Sequence, residues 1–195
     1  MTWYNNSAKV PDDKKFIDIM AHFIIECPSC IKKGKNKKKT YIPVSNRKEI
    51  TFRSKGIEDK KLTILLNVVK KPLQHNKTYL HLENEDNVEK KANEIMETSS
   101  LEDPYFDLIV FKKRNDMSII EAIYYYIRNS FAHGSFEVKQ IKGKGKNVYF
   151  MESKNNGDVK AQMRLKEETL TNLINIMQNP NEYINSARNS KPNKW

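Results

Sequence analysis

Residues 119–134, with the sequence IIEAIYYYIRNSFAHG, have the pattern of one amphipathic helix with a marked start and a marked end. Ser118 and Glu121 have the spacing of a capping box, and Gly134 can adopt the left-handed conformation that closes a helix. At about 100° per residue, five apolar side chains fall on one stripe: Ile120, Ile123, Tyr124, Ile127 and Phe131. The sequence therefore predicts a helix that packs this stripe on a hydrophobic core.

Three polar residues, Arg128, Asn129 and His133, lie off this stripe near the end of the helix. They are placed about 80°, 180° and 220° around the helix from Ile120, and Asn129 lies one turn before His133. Histidine can carry a proton near neutral pH, and the arginine fork matches phosphate oxygens. Phosphodiester cleavage requires both functions. The alternative is a surface arginine and a histidine that only stabilises the helix end.

The hexamer R-N-S-F-A-H at residues 128–133 resembles the R-x4-6-H motif of the HEPN superfamily, in its common form R-N-x-x-A-H. The resemblance includes the Ile/Tyr-rich helix before it and the strand-forming run after Gly134, over about residues 100–180. It implies a small helical bundle and a metal-independent ribonuclease, which cleaves RNA by attack of the ribose 2′-hydroxyl. By the same resemblance His133 shuttles protons, Arg128 holds the phosphoryl oxygens, and Asn129 orients the histidine or the substrate.

The resemblance also implies partners. Each chain offers one histidine at this site, and HEPN enzymes build composite sites from two copies, so we expect a homodimer. Its contact would include Ala122, Tyr125 and Ala132. HEPN proteins occur in toxin–antitoxin pairs and antiphage systems, which implies an antitoxin or defence-system partner. HEPN toxins silenced by AMPylation carry tyrosine two residues after the motif histidine; here Ser135 stands there, so this control is not expected.

Two other functions remain open at this point. One is a HEPN-like module that binds nucleic acid or nucleotide without cutting it. The other is a helical interaction protein in which Arg128 and His133 serve only a dimer interface. Cleavage of single-stranded RNA by the purified protein separates the ribonuclease from both.

The formal net charge of +11, from 35 basic and 24 acidic residues, indicates a polyanionic partner such as RNA, DNA or a membrane surface. A generally lysine-rich composition is the alternative. The basic run at residues 32–39 predicts an exposed loop, in which Lys35, Lys37, Lys38 and Lys39 either contact RNA phosphates or are simply solvated. Because no run of 18 apolar residues and no signal-peptide pattern is present, we expect a soluble cytoplasmic protein without a membrane role.

The sequence predicts neither a metal nor a cofactor. Two cysteines, Cys27 and Cys30, are too few for a disulfide scaffold and have the spacing of half a zinc site. A structural zinc needs four ligands, and only His22 is available as a third. No carboxylate cluster that could hold Mg²⁺ accompanies the motif.

The predicted fold class is α+β, mainly α: a HEPN-like antiparallel helical bundle with a small antiparallel β-meander after the motif helix. Helices are predicted from Asp12 or Asp13 to Cys27 and over 57–71, 87–98, 105–113 and 166–178, and a short extended segment over 40–44. The meander is predicted over 135–165, where apolar and polar residues alternate, with turns at 142–145 and 155–158. Pro28 and Pro72 are expected to end helices. His75 and His81 are expected at the surface, in a polar stretch between helices. The predicted domains are an N-terminal extension over 1–56 packed on the main domain, a HEPN-like domain over 57–187, and a disordered tail over 188–195.

Overall fold

The computed structural model describes residues 13–27, 31–33, 39–41, 52, 56–74, 79–82, 87–99, 105–115, 117–141 and 146–189. Its helices are α1 (Lys14–Ala21), α2 (Asp59–Gln74), α3 (Val88–Ser99), α4 (Ile119–Ala132), α5 (Glu167–Gln178) and α6 (Pro180–Asn189). A π-helical segment, His22–Glu26, continues α1. Its strands are β1 (Ile31–Lys33), β2 (Lys39–Tyr41), β3 (Tyr79–Leu82), β4 (Leu108–Lys112), β5 (Phe136–Ile141), β6 (Lys146–Asn155) and β7 (Asp158–Lys166).

Five strands form one mixed sheet in the order β3-β4-β7-β6-β5. β3 and β4 are parallel and are joined through α3, since parallel neighbours need a crossover connection. The other pairs are antiparallel, and β1 and β2 form a separate antiparallel pair. The α+β class is therefore confirmed, and so is the antiparallel meander β5-β6-β7. Its second turn has positive φ at Asn156 and Gly157, as the predicted turn at residues 155–158 requires.

Strand β4, which lies between β3 and β7, is buried on both faces of the sheet. Leu108 and Val110 pack with α3, whereas Ile109 and Phe111 belong to the larger core on the opposite face. The predicted helix over residues 105–113 is therefore wrong, because the segment is a strand over Leu108–Lys112. A strand buried on both faces gives a continuous apolar run without the alternation that identifies a half-buried strand.

The larger core surrounds the inward face of α4. The ring centroid of Phe23, from the π-helical segment, lies 5.8 Å from that of Phe131 and 6.1 Å from that of Tyr124. The ring of Phe52 packs edge-on against the ring of Tyr124. The predicted N-terminal helix is confirmed, with Asp13 as its N-cap accepting the Phe16 backbone N–H at 3.0 Å. The N-terminal segment thus packs in the same cluster as α4. A domain boundary near residue 56 stays a prediction.

Two further expectations fail. Pro72 does not end α2, which runs to Gln74, because a proline this close to the end of a helix removes only one of its last backbone hydrogen bonds. His81 lies in strand β3 rather than in a polar connection. The first two residues of the predicted tail, 188 and 189, belong to α6, so the rest of the tail stays a prediction. Helix α6 begins at Pro180, and proline suits the first position of a helix.

Several predicted features lie outside the described residues: Pro28, His75, residues 42–44 and the tail beyond Asn189. The other helices predicted at 57–71, 87–98 and 166–178 are confirmed as α2, α3 and α5. None of the described helices combines the length and the apolar composition needed to cross a lipid bilayer.

Candidate active site

Local signals at both ends hold α4 in place. Ser118 Oγ accepts the Glu121 backbone N–H, and the Glu121 carboxylate accepts the Ser118 backbone N–H at 2.9 Å, which completes the predicted capping box. At the other end the His133 backbone N–H donates to the Asn129 carbonyl at 3.0 Å, and Gly134 has a φ of +64°. The predicted helix and both of its end signals are confirmed.

The inward face of α4 is bonded to three other elements. All five residues of the predicted apolar stripe are buried. Tyr124 donates its hydroxyl to the Leu173 carbonyl in α5, and Tyr126 donates to the Lys112 carbonyl at the end of β4 at 2.9 Å. Ser130 lies within the motif and donates to the Glu152 carbonyl in β6 at 2.9 Å. These bonds fix the orientation of the motif helix relative to the sheet.

Arg128 is half-buried, although the helical wheel places it off the apolar stripe that faces the core. Its Nε atom is buried and has no hydrogen-bond partner in the part of the chain that the structure describes. Burial raises the pKa of the Cys27 thiol well above its ordinary value, and the Arg128 charge partly opposes that rise, so the guanidinium lies on the Cys27 side of α4. A buried donor without a partner carries an energetic cost.

Asn129 and His133 lie towards the other flank of the exposed face. Asn129 is half-buried at the edge of a cleft beside β4 and β6, and His133 is exposed at the helix C-cap. On the helix Arg128 and His133 are about 140° apart, with Asn129 between them. One copy of the chain therefore presents its motif cation and its motif histidine on diverging sides of the same helix end.

The predicted dimer face is partly wrong. Ala122 is buried in the core, one turn before Tyr126, whose ring packs 5.7 Å from Phe111. Tyr125 is half-buried beneath the Arg114 guanidinium, and Ala132 is exposed. Only Tyr125 and Ala132 of the three are available at the surface.

The candidate metal ligands are not assembled in the described part of the chain. Cys27 is buried, and His22 Nδ1 lies 2.9 Å from a Glu26 carboxylate oxygen. Cys30 lies outside the described residues. Among the residues that the structure does describe, no group of three or more histidine, cysteine, aspartate and glutamate side chains could hold a metal ion.

The predicted RNA-binding lysines are only partly placed. Lys35, Lys37 and Lys38 lie outside the described residues, and Lys39 is the first residue of β2. The structure instead brings basic residues from β4 and the β6–β7 hairpin to the Asn129 side of α4. The sequence signal for them was three consecutive basic residues at 112–114, which the wrong helix assignment for this segment concealed.

Replacing Ser130 with Ala should lower the free energy of unfolding by about 1–3 kcal/mol, because two buried carbonyl groups, those of Tyr126 and Glu152, share its hydroxyl. Urea unfolding measures the effect. Thr98→Ala is the matched control, since the exposed Thr98 hydroxyl contacts only carbonyls of its own helix, those of Glu94 and Ile95. Equal midpoints for Ser130→Ala and the parent would contradict an anchoring role for Ser130.

Comparisons with known proteins give no relative for this chain: no family model matches it, and neither does any curated protein or solved structure.

Proposed function

We propose that this protein is a metal-independent endoribonuclease of the HEPN type, whose helices on the α4 side of the sheet correspond to a HEPN-like bundle. One observation carries the proposal. The R-N-x-x-A-H hexamer ends a rigidly anchored helix, with Arg128 half-buried on one side of the helix end and His133 exposed on the other. An anion-binding group and a proton carrier are the two parts that metal-free phosphodiester cleavage requires.

The proposed chemistry is transesterification followed by release of the leaving strand. One His133 takes the proton of the ribose 2′-hydroxyl as its oxygen attacks the adjacent phosphorus. The bond from phosphorus to the 5′-oxygen breaks, and a protonated histidine supplies the proton to that oxygen. The products are a 2′,3′-cyclic phosphate and a 5′-hydroxyl. Arg128 stabilises the charge that develops on the phosphoryl oxygens, and Asn129 orients the histidine or the substrate.

The reaction needs a base and an acid at opposite ends of the same displacement, and each chain supplies one motif histidine. Two copies that meet around a twofold axis at the exposed end of α4 would supply both, and each Arg128 could serve the shared phosphate. The small, exposed Ala132 beside the motif suits such a contact. A role in a toxin–antitoxin or antiphage system, with its partner, is proposed from the HEPN resemblance alone.

We expect a homodimer in solution, with about twice the 22.9 kDa mass of one chain by light scattering. Ala132→Arg should convert it to a monomer, because the new side chain fills the contact surface. The monomer should still fold, since Ala132 is exposed and a cation is favourable in the last turn of a helix. Asn172→Arg, on the exposed side of α5, is the matched control and should stay dimeric.

A parent protein that is monomeric at micromolar concentration and still cleaves RNA would contradict the composite site.

The function itself is tested by incubating the purified protein with labelled single-stranded RNA in excess EDTA. We expect cleavage under these conditions. RNA that stays intact with EDTA and with added Mg²⁺ would favour the non-catalytic binding module instead.

A further inference from the structure

A basic cleft of about 290 Å³ lies on the Asn129 side of α4, between the end of β4 and the β6–β7 hairpin. Five cationic side chains and the motif asparagine are among the residues that line it: Lys112, Lys113, Arg114, Lys154, Lys160 and Asn129. Three of the cations follow one another at the end of β4, which the Tyr126 hydroxyl holds by its bond to the Lys112 carbonyl. The fold thus gathers distant parts of the sequence into one basic surface beside the motif.

Positive charge exceeds negative charge at this cleft. The buried Glu152 carboxylate forms an ion pair with the Lys154 ammonium at 2.7 Å. It also accepts a hydrogen bond from the Gln162 side-chain amide at 2.8 Å. Asp158 pairs with Lys160 at 3.1 Å. Of the described residues that line the cleft, five are cationic and none is acidic, and Glu152 and Asp158 compensate Lys154 and Lys160 from beside it. Such a local field attracts a polyanion.

The cleft also has a surface on which a base can stack. The Arg114 guanidinium lies 4.4 Å from the centre of the Tyr125 ring, over its face. Unpaired bases stack on arginine planes and on aromatic rings, and proteins that bind single strands combine such platforms with a basic groove. A paired duplex offers no free base faces, and a flat lipid surface does not enter a cleft. The combination of features favours a single strand.

We propose that this cleft binds single-stranded RNA next to the cleavage site, with one nucleotide stacked near Arg114 and Tyr125 and the flanking phosphates on the lysines. Its volume is near the lower end of the range for ligand pockets, about 300–1,000 Å³, so it holds a single nucleotide unit. Asn129 belongs to both the cleft and the motif, and it sets the direction in which the strand reaches Arg128 and His133. The inference rests on the proposed function for its choice of RNA, but strand binding here does not require cleavage.

The test uses a fluorescent 2′-O-methyl RNA 12-mer, which cannot be cleaved because it lacks the attacking hydroxyl. The variant carries Lys112→Gln, Lys113→Gln and Lys160→Gln. Lys154 is kept, since its ammonium compensates the buried Glu152. The control carries Lys60→Gln, Lys71→Gln and Lys90→Gln, three exposed lysines of α2 and α3 with the same total charge change. Anisotropy titrations over a series of salt concentrations give the affinity and its salt slope.

We expect the cleft variant to bind at least about tenfold more weakly at low salt, with a slope smaller by roughly 0.7 for each phosphate that the variant no longer neutralises. The control should keep the parent slope. The milder Lys113→Gln/Lys160→Gln variant should show the same effect at reduced size, which guards against a folding defect in the triple variant. Equal losses of affinity in the cleft and control variants would overturn the proposal, because net charge alone would then explain binding.

A duplex of the same length that binds as tightly as the single strand would also overturn the proposal. The two hypotheses fail separately. If the parent cleaves RNA but the cleft variants bind like the parent, the cleft assignment is wrong and the ribonuclease stands. If no RNA is cleaved but the cleft variants alone bind more weakly, the cleft assignment stands and the ribonuclease is wrong.

Discussion

His133→Ala should abolish RNA cleavage, and Arg128→Ala should slow it by about 10²–10³-fold. In a symmetric dimer the histidine substitution removes the base and the acid together. The arginine substitution leaves the proton transfers in place but removes a preorganised donor to the developing anion. His133 is exposed at the helix C-cap, so its loss should leave the fold intact.

Arg188→Ala is the matched control for Arg128→Ala, because Arg188 is an exposed arginine in the last turn of a different helix, α6. It should cleave at the parent rate. All variants are compared by single-turnover cleavage of a labelled RNA, after urea unfolding has shown that each one folds. A folded His133→Ala protein as active as the parent would place the chemistry on other residues.

Phe23→Ala should lower the free energy of unfolding by about 3–5 kcal/mol. Phe23 is fully buried and packs against Tyr124 and Phe131 of the motif helix, so truncation leaves a cavity between the N-terminal segment and α4. Unfolding should remain a single transition in urea, because the same core cluster joins the two segments.

Ile25→Ala is the control for Phe23→Ala, since Ile25 lies in the same π-helical segment but is 49% exposed. It should change the free energy of unfolding by less than about 1 kcal/mol. A separate early transition in Phe23→Ala would show that the N-terminal segment unfolds independently. That result would favour a real domain boundary near residue 56.

The motif helix was predictable because its signals are local. The capping box, the apolar stripe and the closing glycine all lie within residues 118–134, and each appears in the structure where the sequence places it. The meander was predictable for the same reason, since its alternation and its turn at 155–158 are read over a few residues.

Strand β4 was not predictable from periodicity, because burial on both faces removes the alternation and leaves a short apolar run. The error also concealed part of the candidate site. Lys112, Lys113 and Arg114 were assigned to a helix or its end, and only the sheet brings them beside Asn129 and the β6–β7 hairpin. Pairing between distant strands is a property of the tertiary fold that no short window of sequence contains.

Exposure within the motif was also set by tertiary packing. The helical wheel placed Arg128 away from the core stripe, but in the folded chain it is half-buried on the Cys27 side of α4, with its Nε atom fully buried. Ala122 is buried as well, beside the ring of Tyr126. A wheel describes one helix and contains no information about which neighbours pack on its flanks.

The most direct test of the proposed ribonuclease activity is the chemistry of the product ends in excess EDTA. A 5′-labelled single-stranded RNA is cleaved, and the fragments are analysed by mass spectrometry for the groups on both sides of the cut. The proposed mechanism predicts a 2′,3′-cyclic phosphate on one fragment and a 5′-hydroxyl on the other, with neither formed by His133→Ala. Fragments with a 5′-phosphate and a 3′-hydroxyl, formed only when Mg²⁺ is added, would contradict it.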